Sequence, residues 1–286
     1  MASDNRFAVL IDADNVSVKY IKIILDEISK DGIATYKRIY GDWTNPSLIS
    51  WKNTLLDNSI IPVQQYSYTT GKNSTDSAMI IDAMDILYSG RVEGFCLVSS
   101  DSDFTRLAAR LRESGMTVIG MGESKTPNSF IAACNKFKYL DILSAADEAE
   151  AEEAAPKAES TKKPAAQPKK TAQKAAAKKP KEEPKAEKEP KPAEPKKQQE
   201  KAIEEPRTSL RTIRRALRTI VRENSDEDNW IMVSQVGNLL DKRYTDFDVR
   251  NFGFSKLTPF LESLDMFEIK DMKKDSSSPQ KYVRLK

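Results

Sequence analysis

Short apolar runs alternate with helical patterns through the first half of the chain. VLI, FCLV and TVIG are continuous and β-branched, as strands buried on both faces are. The pattern predicts strands at Phe7–Ile11, Ala34–Tyr40, Ile60–Gln65, Gly94–Ser99 and Thr117–Met121, with helices over 16–30, 46–57, 75–89 and 103–114. Strand–helix alternation of this kind implies a parallel α/β sheet with right-handed crossovers. Residues 207–286 follow another rhythm: a long amphipathic helix, a short extended piece with a helix (NWIMVSQVGNLLDKRY), then a further helix (DVRNFGFSKLTPFLESL). MFEIKDM and QKYVRLK then read as two strands around KKDSSSP. Helix, short strand, two helices and a hairpin describe a small winged helix.

Between these halves the pattern vanishes. Residues 145–206 consist almost entirely of Ala, Lys, Glu, Pro and Gln, with no aromatic residue and only Ile203 among the large aliphatics. Such a stretch cannot bury enough apolar surface to offset its ordering entropy, and prolines such as Pro180, Pro184, Pro190 and Pro195 forbid a long helix. It is expected to be a disordered, extended linker between domains at 1–144 and 207–286.

Charge sharpens the division. The net +3 hides 15 basic and 17 acidic residues in 1–144 against 16 and 12 in 207–286. The chain has no histidine, which excludes nucleophile–His–acid triads and His-ligated zinc. Two cysteines, Cys96 and Cys134, cannot close a zinc site either. Both lie in apolar runs, and with no apolar run near the roughly 18 residues of a membrane helix, the expected setting is the reducing cytoplasm, without membrane attachment. The acidic start, MASDNRFAVLIDADN, does not read as a signal peptide. Catalysis would rest on carboxylates, an oxygen-ligated metal, lysine or hydroxyls.

In a parallel sheet, function collects at the carboxyl ends of the strands, where strand order reverses. Three acidic motifs fall in that layer: IDADN with Asp12, Asp14 and Asn15; GKNSTD with Asp76; and SSDSDF with Asp101 and Asp103. One Asp at a strand end is commonly a helix cap. Three segments that deliver carboxylates to one edge repel one another unless a cation lies between them, and Mg²⁺ favours a few carboxylates with retained waters. The candidate metal-binding and catalytic residues are therefore Asp12, Asp76 and Asp101. Asp82 and Asp85, on the same helix as Asp76, read more naturally as structural or solvated groups. Ser99, Ser100, Lys72, Asn73, Thr126 and Ser129 could each touch a phosphate backbone, though each is also an ordinary loop or capping residue.

These three motifs, in this order and spacing, resemble the NYN domain of the PIN-like nuclease group over about residues 5–143. The resemblance implies a Rossmann-like PIN-type fold and Mg²⁺- or Mn²⁺-dependent cleavage of RNA, with single-stranded RNA as the expected substrate. It maps the family's metal-binding acids onto Asp12, Asp76 and Asp101, with Asn15 and Asp103 as supporting positions. One departure is Asn135, where such domains often carry aspartate. Other readings are a non-catalytic RNA-binding regulator, and a haloacid-dehalogenase-like phosphatase in which DADNV supplies the nucleophile.

In the last domain, Leu210, Ile213, Leu217, Ile220 and Val221 make an apolar stripe, while Arg207, Arg211, Arg214, Arg218 and Arg222 line another side at helical spacing. Guanidinium groups pair bidentately with phosphate, so the row suits a nucleic-acid backbone, the alternative being a solvated helix face. WIMVSQVGNLLDKRY followed by NFGFSKLTPFLESL resembles the LOTUS (OST-HTH) domain, which implies RNA binding. Trp230, Val236, Gly237, Leu240, Phe252, Gly253, Phe254 and Leu257 would be mostly core, with Lys256, Arg250, Lys273 and Lys274 better placed for phosphate. RNA is the expected partner, and a homodimer is left open.

Overall fold

The computed structural model describes residues 5–66, 74–154, 208–272 and 279–286. Most of the expected linker, together with Lys72, Asn73, Arg207, Lys273 and Lys274, lies outside the described residues.

Six strands form one parallel sheet: β1 (Arg6–Asp12), β2 (Ile33–Gly41), β3 (Ile61–Gln64), β4 (Gly94–Val98), β5 (Thr117–Gly122) and β6 (Lys136–Tyr139). Their order is β3-β2-β1-β4-β5-β6, so the direction of winding reverses between β1 and β4. The period of two along each strand divides the core. Val9, Ile11, Cys96 and Val98 face one side, with α1 (Ile21–Asp31), Trp51 of α2 (Trp51–Asp57) and Leu143 of α6 (Leu140–Ala154). Ala8, Leu10, Phe95 and Leu97 face the other, against α3 (Ser74–Ser89), α4 (Thr105–Glu113) and α5 (Asn128–Ala133). Strands covered on both faces need no polar alternation, which explains the unbroken apolar runs. Removing one such side chain, as in Leu10→Ala, typically costs about 2–5 kcal/mol.

The five predicted strands are present within a residue or two of their expected ends. Strand β6 and the helices α5 and α6 were not anticipated. The sequence of β6, KFKY, interleaves two lysines with aromatics and lacks the apolar run that marks the interior strands. Asn135, just before it, accepts the Val118 amide hydrogen bond at 2.8 Å and so pins β6 to the start of β5. Helix α6 carries the chain to Ala154, two residues before Pro156.

The C-terminal part folds as a winged helix from α7 (Leu210–Asn224), β7 (Ile231–Met232), α8 (Val233–Arg243), α9 (Leu257–Ser263), β8 (Phe267–Met272) and β9 (Gln280–Leu285). Its sheet runs β7-β9-β8, antiparallel throughout. Ile213, Leu217, Val236, Leu240, Phe260 and Val283 form its core, onto which Phe252 stacks, its ring centroid 5.2 Å from that of Phe260. Residues 1–152 and 204–286 make one compact unit. Among the described residues, no helix is long and apolar enough to cross a membrane.

Candidate active site at the carboxyl edge of the sheet

Where winding reverses, the connections after β1 and β4 leave in opposite directions and open a crevice between the two strand ends. Asp12 is the last residue of β1, and Ser99, Ser100 and Asp101 follow β4 directly. Helix α3 brings Asp76 in its first turn. Carboxylate oxygens of Asp76, Asp101 and Asp103 all lie within 4.8 Å of one another.

Each acid is held differently. Asp12 is fully buried. Its Oδ1 accepts the Asp14 amide at 3.1 Å, and its Oδ2 accepts both the Asn15 amide group and the Ser99 hydroxyl at 2.8 Å. Burial pushes its pKa up, while these three donors oppose the rise. Ser99 Oγ also accepts the Asp101 amide at 3.1 Å, so one buried hydroxyl ties the end of β1 to the loop after β4. Asp101 in turn caps the 3-10 turn Ser102–Phe104 by accepting the Asp103 amide at 2.9 Å. Capping and membership of the acidic group are thus compatible for Asp101.

Asp76 carries the electrostatic consequence. It is 8% exposed, and its carboxyl is raised to about 6, first by burial and then by Asp12, Asp101, Asp103 and Asp14. Among the described residues, no lysine or arginine is ion-paired with Asp12, Asp76 or Asp101. A cluster that repels itself this strongly fits a cation. Oxygens bound at about 2.1 Å stand up to about 4.2 Å apart across an octahedral ion, so small side-chain rotations would bring the three within reach. The donor set is all oxygen, which suits Mg²⁺ or Mn²⁺ better than a thiophilic metal.

Asp76, Asp101 and Asp103 are the three acids whose carboxylate oxygens lie within 4.8 Å of one another, and Asp103 is the exposed member. Asp103, expected to support the site, stands with Asp76 and Asp101, while Asp12 lies buried behind them, coupled to Asp76 electrostatically and to Asp101 through Ser99. Asn15 orients Asp12. Ser100 accepts the Glu123 amide at 2.9 Å and holds the loop after β5. Thr126, fully buried, donates to the Glu123 carbonyl and so holds that same loop. Gly122 lies between them: a Cβ there would come within 2.6 Å of Thr126 Oγ1 and 2.7 Å of the Ser99 carbonyl oxygen. Asp82 is engaged by Arg38 and Tyr40, a structural carboxylate. The sequence offers Ser99 only as one hydroxyl among several; its bridging role follows from β1 and β4 being neighbours.

On the winged helix, Arg211, Arg214, Arg218 and Arg222 are exposed on α7, joined by Arg215, and make no ion pair among the described residues. The apolar stripe faces inward except for Leu210, which is 41% exposed at the first turn. Lys256 is exposed at the start of α9. Arg250 is a correction: its guanidinium is taken up by Glu27 and Asp248, which removes it from the phosphate candidates.

Comparison with known proteins gives two family matches. Residues 6–141 match the NYN domain, and residues 207–278 match the OST-HTH/LOTUS domain. No match was found among curated proteins. Among solved structures, a Vibrio parahaemolyticus protein of unknown function aligns at 19% identity with a TM-score of 0.41, covering 49% of this chain and 96% of its own.

Proposed function

We propose that this chain, which carries an NYN domain followed by an OST-HTH/LOTUS domain, is a divalent-metal-dependent endoribonuclease acting on single-stranded RNA. The observation that carries this reading is the self-repelling group of Asp76, Asp101 and Asp103 with Asp12 buried behind it, at the sheet's switch point. Asp76, Asp101 and Asp103 would hold Mg²⁺ or Mn²⁺. When bound, the ion supplies positive charge for the phosphodiester oxygens and an acidified water.

The chain's own residues do the rest. Asp12, fixed by Ser99, Asn15 and the Asp14 amide, adds negative charge from behind without offering a free oxygen to solvent. Ser99 fixes the spacing between β1 and Asp101, which sets where a scissile phosphate can sit. The exposed arginines of α7, with Lys256, would hold the phosphate backbone and so orient RNA by charge more than by sequence. Two buried free thiols suit a reducing, cytoplasmic setting. The phosphatase reading is disfavoured by the same geometry. A nucleophilic Asp12 needs an accessible oxygen, and both of its oxygens are engaged in a fully buried position.

The test is cleavage of end-labelled single-stranded RNA with Mn²⁺ or Mg²⁺, comparing wild type, Asp101→Asn, Asp76→Asn and wild type with chelator. Cleavage by wild type alone supports the proposal. RNA bound but left intact by wild type would replace it with a non-catalytic RNA-binding role.

A further inference from the structure

The strand β6 is an edge of the parallel sheet, and an edge strand presents unpaired backbone groups. One of them is engaged by the other half of the chain: the Phe137 amide donates to the Thr245 carbonyl at 2.8 Å. Beside it, the Tyr139 hydroxyl donates to Asp246 Oδ2 at 3.3 Å. Asp246 also accepts the amide and hydroxyl of Thr208, at the start of the winged helix.

A charged centre lies next to these bonds. Glu27 of α1 is only 3% exposed, and a buried carboxylate is costly unless it is paired. Arg250 clasps it bidentately, Nη1 to Oε1 at 2.6 Å and Nη2 to Oε2 at 3.0 Å, while Lys138 of β6 donates to Oε2 at 2.6 Å and Lys30 to Oε1. Burial alone would raise the Glu27 carboxyl, but these donors outweigh it and hold it well below the usual range. Arg250 is itself held by Asp248, and Lys138 and Lys136 also reach Asp31. The contact is not packed like a core. A cavity of about 320 Å³ opens within it, lined by Asp31 and Lys136 on one side and Asp241 and Tyr244 on the other. Polar, charged and incompletely filled, it has the character of a reversible interface between domains.

We propose that the winged helix is latched in cis onto the β6 edge through the Glu27–Arg250 pair and the Phe137–Thr245 backbone bond, so that the acidic cleft and the arginine face of α7 act as one body and do not swing independently on the linker. The contact uses Thr245–Arg250, the C-terminal half of α1 and β6 from Lys136 to Tyr139. The arginines of α7 remain exposed, and the acidic crevice lies between β1 and β4, two strands in from β6, with Asp103 exposed. Only the naming of α7 as RNA-binding rests on the proposed function.

The test is amide hydrogen exchange on the full chain without metal or RNA, a readout independent of cleavage. Phe137 should be protected in wild type. It should exchange about tenfold faster or more in Arg250→Ala and in Glu27→Gln, which weaken the pair from opposite sides, while β4 and α7 amides keep their wild-type rates. Arg250→Lys, which keeps the charge but loses the bidentate fork, should fall between. A Phe137 amide that is unprotected in wild type, or unmoved by both substitutions, would overturn the proposal. Protection that declines on dilution would place the contact between two copies and overturn the cis assignment.

Discussion

Replacing Asp76 by asparagine should stabilise the metal-free protein while abolishing cleavage. The carboxyl of Asp76 is raised from 3.8 to about 6 by burial and by its acidic neighbours. A shift of about two units corresponds to about 3 kcal/mol between the protonation states, and solvent screening at the rim of the crevice reduces this to about 1–2 kcal/mol. Because the folded value lies above the unfolded one, the favourable contribution is complete below pH 3.8 and is lost as pH rises through about 6. The asparagine of the variant would behave as the neutral form at every pH. The difference between variant and wild type should therefore be near zero at pH 4, grow between pH 4 and 6, and level off above 7. The assay is the global unfolding free energy in chelator, read from the slowest-exchanging amides of β1 and β4 across that range. Adding Mg²⁺ at about 100 times its Kd should stabilise wild type by about 2.7 kcal/mol and reverse the ranking. A variant no more stable than wild type in chelator at pH 7.5, or one with the same advantage at pH 4, would refute the view that like-charge repulsion strains this site.

Three further outcomes are expected. Ser99→Ala removes the donor to buried Asp12 and the acceptor for the Asp101 amide; it should cost about 1–3 kcal/mol in thermal denaturation and lower kcat more than it raises KM. Gly122→Ala drives a methyl group against the Ser99 carbonyl and Thr126, so it should destabilise by about 1–3 kcal/mol and cut cleavage, with RNA affinity by fluorescence anisotropy unchanged. Arg214→Ala with Arg218→Ala should weaken RNA binding without sequence preference and reduce the slope of log K against log salt by about 0.7 per lost single-strand phosphate contact; an unchanged slope would remove α7 from the binding face.

Interior strands were legible in the sequence because β1, β4 and β5 are covered on both faces and must be apolar throughout. Edge strand β6 was not, because KFKY takes its lysines from the contact it makes with Glu27 and Asp31, residues more than a hundred positions away. The acidic layer was legible for a similar reason: strand ends carry function in any parallel sheet. That Asp103 stands with Asp76 and Asp101 was not, since that depends on side-chain direction. Asp12 turns inward to Ser99 and Asn15, whereas Asp103, just beyond the cap, points back toward Asp76. Arg250 was misjudged because a sequence shows a basic residue but not the partner, and its partner lies in the other half of the chain.

The two edges of the parallel sheet are guarded by different means. Strand β3 is four residues long and carries Pro62, which has no backbone N–H to offer a foreign strand. Strand β6 has no proline, and its outward amide at Phe137 is covered by Thr245. A fragment ending within the linker would keep its own core but uncover that edge. Self-association of such a fragment, growing with concentration and suppressed by adding the winged helix back, would mean that the second domain also serves as a solubility shield for the first.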